Sequence, residues 1–107
     1  MKYRVNIVSD AEEDLVDIFH YVSQSDSIDR ADHLLRKLEE TCLKLESLPK
    51  RGRIPPELER IGVMDYREIL TRPYRIIYEI IESEVYIHAV LDGRRDIQEL
   101  LEKRLLR

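Results

Sequence analysis

A chain of 107 residues, 43% apolar and 37% charged with a formal net charge of −4, has the make-up of one folded domain spanning residues 1–107 around one core. That balance excludes a disordered acidic tail, and no window approaches the eighteen apolar residues of a membrane span. The single Cys42 cannot form an internal disulfide, and acids appear early with no apolar leader before them, so a cytoplasmic location away from any membrane is expected.

Residues 2–8, KYRVNIV, alternate: Tyr3, Val5 and Ile7 point one way and Lys2, Arg4 and Asn6 the other, the pattern of a half-buried strand. SDAEEDL then opens a helix expected over about 10–24. Ser9 and Glu12 stand at capping-box spacing, and Ala11, Leu15, Ile18, Phe19 and Val22 follow the 3.6-residue period. After the polar break SQSDSID, Ser27 or Asp29 can cap a second helix that runs to about Leu48. Its stripe is Ala31, Leu35, Leu38, Cys42, Leu45 and Leu48, with Leu34 and Leu43 off it, and Pro49 stops it. The two helices predict an antiparallel hairpin.

PKRGRIPPELERIG reads as a loop, since it holds three of the four prolines and two of the three glycines. MDYREIL, PYRIIYEII and EVYIHAVLD follow as strands, the last two joined across Glu82-Ser83-Glu84. Ile76, Ile77, Ile80 and Ile81 mark the middle one as central, apolar on both faces. Gly93 breaks the pattern, and RRDIQELLEKRLLR forms a terminal helix with Ile97, Leu100, Leu101 and Leu105 inward. The expected class is α+β in the order βααβββα: a helical hairpin packed on a twisted antiparallel sheet, with a short C-terminal helix. The pattern leaves the place of the first strand in the sheet open.

The charge is uneven. Residues 1–48 carry six basic and eleven acidic residues, net −5; residues 49–107 carry twelve and eleven, net +1. The second half is the place to seek an anion-binding surface. It offers Arg67, Arg72, Arg75, Arg94 and Arg95, with Lys50, Arg51 and Arg53 in the loop, and a guanidinium donates in pairs to phosphate. Asp65, Glu68, Glu79, Asp92 and Asp96 compete for them. There is no Gly-rich phosphate loop, no HExxH and no CxxC. His20, His33 and His88 fall on three elements without ligand spacing, so neither metal nor cofactor is expected, and Cys42 reads as a small core side chain.

The ordered set L..LP.RGR.PPEL, YREI at 66–69, YRIIYEI at 74–80 and GRRD at 93–96 resembles the RelE/ParE superfamily of type II toxin–antitoxin toxins over almost the full chain. The resemblance implies a cognate antitoxin whose C-terminal segment folds across the toxin. It also implies one of two activities. RelE-like members cleave messenger RNA on the ribosome with arginines, lysines and a C-terminal tyrosine; ParE-like members lack that set and poison DNA gyrase. Arg72, Arg94 and Arg95 match basic positions of the family, as does Arg67. Leu100 and Leu101 stand where the tyrosine is sought, no tyrosine follows Tyr86, and His88 matches no family position. RNA cleavage needs a proton acceptor as well as phosphate stabilisers. The expectation is therefore a ParE-like toxin, closer to ParE than to RelE, that binds gyrase without chemistry of its own. The alternatives are a RelE-like endoribonuclease acting with ribosome and mRNA, and an inactive member that binds its antitoxin and co-represses their operon. Arg72, Arg94 and Arg95 are expected to face the target, Arg67 and Arg75 to sit in ion pairs with neighbouring acids, and Leu34 and Leu43 to bind the partner. No residue is assigned a catalytic role.

Overall fold

The structure, a computed structural model, describes residues 2–106. β1 (Arg4–Ile7) leads straight into α1 (Ser9–Ser25), and α2 (Ile28–Leu43) follows. Two 3₁₀ turns (Lys44–Glu46 and Pro49–Arg51) and a one-turn α3 (Pro56–Glu59) cross to β2 (Tyr66–Thr71). β3 (Tyr74–Ile81), β4 (Glu84–Asp92) and α4 (Ile97–Leu105) complete the chain. The expected terminal helix reached Arg107, which lies outside the described residues. Among the described residues no helix is long and apolar enough to cross a membrane.

Three local expectations need correction. Ser9 does not cap α1. Val8 holds the cap position, its N–H donating to Ile87 O at 3.1 Å while its own carbonyl accepts from Glu12 N, so the chain passes from strand to helix one residue early. The second helix stops at Leu43, not Leu48: the 3₁₀ turn changes the angular step, which keeps Leu45 buried and turns Leu48 out. The stretch read as pure loop contains α3, where Pro56 supplies a preset first turn and the fully buried Leu58 anchors it; four residues are too few to show a period. At the start of α2 the choice falls on Ser27, whose Oγ accepts from Arg30 N at 3.1 Å.

The sheet order is β1-β4-β3-β2. β2, β3 and β4 are antiparallel neighbours, and β1 joins the outside of β4 in parallel, Arg4 opposite Glu84 through Ile7 opposite Ile87, so the sheet as a whole is mixed. A bulge at His88 separates Ile77↔Ala89 from Tyr78↔Ile87. It resets the alternation, so β4 sends Val85, Ile87 and Val90 to one face but Ala89 and Leu91 to the other. The first face, with Ile76 and Tyr78, packs on Ala11 and Leu15 of α1 and Leu38 and Cys42 of α2; the second, with Ile77, packs on Leu58, Ile97 and Leu101. Each such buried aliphatic side chain contributes about 1.5–3 kcal/mol by leaving water. Ile81, expected inward, is exposed at the hairpin end of β3.

Past Ile7 the edge of β4 has no strand beside it among the described residues. Asp14 of α1 accepts from Val90 N at 2.9 Å, Arg104 of α4 donates to His88 O at 3.1 Å, and the two side chains pair at 3.0 Å. One acceptor and one donor thus stand where a neighbouring strand would place them, and they tie both flanking helices to the sheet.

Candidate functional site: the arginine end of the sheet

The turn between β2 and β3 and the junction between β4 and α4 meet at one end of the sheet. Tyr74 is opposite Asp92, and Gly93 N donates to Pro73 O at 2.8 Å. A Cβ on Gly93 would lie 2.9 Å from Pro73 O and 3.1 Å from Arg75 Cδ, so only glycine lets the two segments close. That closure places Arg72, just before the cis peptide to Pro73, on the same exposed end as Arg94 and Arg95.

Asp92 organises the junction. Its carboxylate accepts from Arg94 N at 2.9 Å and from the Arg94 guanidinium at 3.0 and 2.7 Å, while its carbonyl accepts from Arg95 N. The hydrogen bonds from Arg94 hold the Asp92 carboxyl below the usual carboxylate range and push the guanidinium up. Arg94 is nonetheless open to solvent, and it can exchange its intramolecular partner for an external anion at small cost. Asp96 then caps α4, accepting from Glu99 N. A groove of about 530 Å³ runs from this end between α1 and α4, with Tyr21, Tyr74, Asp92 and Arg95 in its wall.

The other two arginines do different work. Arg75 is buried on the second face and donates to both oxygens of Glu57 at 2.7 Å and to Glu68 at 2.6 Å. Glu68 is itself fully buried and also holds Arg53 at 2.8 Å. Arg67 makes no ion pair among the described residues. Its Nη1 donates to Gly52 O at 2.9 Å and Lys50 O at 3.4 Å, pinning the PKRG loop, because the carbonyls of that turn reach it before any carboxylate does. It also sits five residues from Arg72 along β2, about 16 Å away. The structure therefore gathers Arg72, Arg94 and Arg95, and leaves Arg67 and Arg75 in the scaffold.

Leu34 and Leu43 are nine residues apart, half a turn out of phase, so they occupy opposite sides of α2. Leu34 is half-buried against the main core, and Leu43 is exposed. The three histidines sit on α1, α2 and β4, and no cluster able to hold a metal ion occurs among the described residues. Tyr21 was not singled out from sequence. It is 68% exposed at the C-terminal part of α1 and shares a groove wall with Tyr74, Asp92 and Arg95. The available signal was a tyrosine off the apolar stripe of its helix.

The model of the ParE toxin of the type II toxin–antitoxin system parDE matches residues 5–97. The chain belongs to the ParE toxin family. No curated protein matches the sequence. Among solved structures, it is similar to one of the chromosomal ParDE toxin–antitoxin system from P. aeruginosa, with 18% identity, TM-score 0.70, and 83% of this chain and 94% of that one covered. It is also similar to a chain of the RelBE2 toxin–antitoxin complex from Mycobacterium tuberculosis, with 20% identity, TM-score 0.65, and 86% and 92% covered. A double arginine mutant of E. coli RelE in the free state matches over 100% of this chain and 98% of that one, at 16% identity and TM-score 0.66. At these identities the structures speak for the fold alone. They agree on helices packed on a four-stranded sheet with a C-terminal helix.

Proposed function

We propose that this toxin arrests growth by binding a protein target, DNA gyrase, and that it cuts no RNA. The observation that carries this reading is the make-up of the arginine end. It presents three exposed guanidiniums and the exposed Tyr21, and the Asp92 carboxylate beside them is held by Arg94 and lowered below its ordinary range, which makes it a weak proton acceptor. Leu101 is fully buried and Leu100 half-buried where a catalytic tyrosine is sought. Tyr74 is buried, and burial followed by Asp92 pushes its hydroxyl up, which keeps it protonated and unable to accept a proton. Arginine and tyrosine are the side chains that anchor protein interfaces. The net charge of −4 also opposes docking on ribosomal RNA. Similarity to a ParDE system and a RelBE2 complex supports a cognate antitoxin that neutralises the toxin.

One preparation of purified protein tests the choice in two assays. Gyrase supercoiling should be inhibited, and messenger RNA on translating ribosomes should remain intact. The R72A/R94A/R95A variant should lose inhibition while its melting temperature stays close to that of the parent. Ribosome-dependent cleavage with normal gyrase activity would overturn the reading; no effect in either assay would leave a protein that only binds its antitoxin.

A further inference from the structure

The groove between α1 and α4 has an apolar floor of Ile18, Val90, Leu91 and Leu100, each buried or half-buried. At one end the Asp14–Arg104 pair, at 3.0 Å, bridges the two helices and closes it; the other end opens beside Asp92. From Asp14 to Tyr21 is about 10 Å of α1. The charges around this cleft are partly settled. Asp14 is held by Arg104, and Asp92 by Arg94. Asp17 on the α1 side and Arg95 on the α4 side are exposed and carry no ion pair among the described residues. The exposed ring of Tyr21 stands one turn from Asp17 on the same helix. An unpaired carboxylate and an unpaired guanidinium thus stand on opposite sides of an apolar floor, a pattern of charge that the fold itself does not use.

We infer that this cleft receives an apolar side chain from an extended segment of the protein target, flanked there by a lysine or arginine for Asp17 and an aspartate or glutamate for Arg95. The inference rests on the protein-target reading above and names the chemistry of the segment that docks. Burial of the side chain against the floor supplies desolvation, and the two rim charges, opposite in sign, fix which way the segment runs. A cation that pairs with Asp17 also comes within reach of the Tyr21 ring one turn on, which favours a base on that side. A helix is excluded by size. At about 10–12 Å across with its side chains, it is as wide as the cleft is long, and it would rest on the Asp14–Arg104 bridge instead of the floor. Nucleic acid is a poor occupant, because Asp17 and Asp92 both line the cleft and repel a phosphate.

Labelled full-length toxin is titrated with intact gyrase, without DNA, in fluorescence anisotropy at low and high salt. Asp17→Lys should weaken Kd about fivefold or more at low salt and by less at high salt. D17K/R95E leaves the net charge unchanged and reverses the polarity of the cleft, so it should weaken Kd further, to about twentyfold or more. Steering by net charge alone would instead restore binding in the double variant, and that result overturns the inference. Tyr21→Ala should cost about tenfold, and Tyr21→Phe, which keeps the ring, less than about twofold. Glu59→Lys makes the same change in charge as D17K on an exposed acid away from the cleft, and should shift Kd by less than about twofold. All the substituted positions are exposed, and circular dichroism checks that each variant is folded. A Kd unmoved by D17K and Y21A, while R72A/R94A still weakens it, overturns the inference and leaves the gyrase reading standing. A wild-type dimer that D17K dissociates, seen by sedimentation, gives the cleft to a second copy and overturns it as well. Failure of the wild type to bind gyrase removes both.

Discussion

Replacing Arg75 with methionine should unfold much of what holds the arginine end together. Arg75 is the hub of a buried network: two hydrogen bonds of 2.7 Å to Glu57 and one of 2.6 Å to Glu68, whose side chain is completely buried. Methionine fills most of the volume and removes the charge. Glu68 then keeps only Arg53, whose side chain is 61% exposed and well screened. Breaking a buried pair from one side costs about 3–5 kcal/mol, because a carboxylate is left desolvated and uncompensated. Against a total of about 5–15 kcal/mol for a domain, that is a large fraction.

Urea denaturation at neutral pH should show the loss as a lower midpoint with an unchanged m-value. A second signature is pH dependence. The hydrogen bonds from Arg75 lower the Glu57 carboxyl below its ordinary 4.5 in the folded state, so its stabilisation is present above 4.5 and is lost as pH falls through the lowered value. The wild type should lose stability across that acid window, and R75M should lose less there. Adding Glu68→Met to R75M removes the orphaned charge and should recover at least half of the loss. An R75M penalty under about 1 kcal/mol, or no recovery in the double variant, would refute the account of the network as charge-coupled.

Cys42 is buried and its thiol is pushed up to about 12, first by burial and then by Glu39, so iodoacetamide should leave it unmodified in the native protein and alkylate it in urea. Glu82 sits in the β3–β4 turn with φ of 57°, a left-handed conformation that costs a side-chain-bearing residue; Glu82→Gly should raise stability by about 0.5–1 kcal/mol, read as a few degrees in melting temperature. Gly93→Ala puts a Cβ 2.9 Å from Pro73 O, so it should part the two turns, cost about 1–2 kcal/mol and reduce the proposed gyrase inhibition by more than that loss of stability explains. An alanine variant with full inhibition would show that Arg72 need not lie beside Arg94 and Arg95.

The regular elements were legible because their periods are long enough to count. α1 and α2 each repeat an apolar spacing several times, β3 is apolar on both faces, and Ser27 offered a cap in the right place. The parallel pairing of β1 with β4 was not legible: alternation in KYRVNIV says which residues face inward but not which strand they lie beside. α3 was hidden by its length. At the site, exposure of Arg72, Arg94 and Arg95 followed from their neighbours Pro73 and Gly93, which end strands. Arg75 was read as ion-paired, yet its main partner Glu57 lies eighteen residues away in α3, a pairing that only the tertiary fold creates. Arg67 was matched with acids on charge alone; its Nη1 donates to backbone carbonyls, which carry no sequence signature.

The five arginines sort by where the sheet puts them. Those within strands, Arg67 and Arg75, fall where the chain already supplies acceptors, and a guanidinium there is bound by geometry before any target arrives. Those at strand ends meet solvent, and Arg94 holds only a neighbouring aspartate. A target can therefore recruit the second group without unfolding the first, which lets stability and recognition be altered separately. Tyr21 of α1 stands exposed in the wall of the same groove as Arg95, so the group a target can recruit includes an aromatic ring beside the guanidiniums.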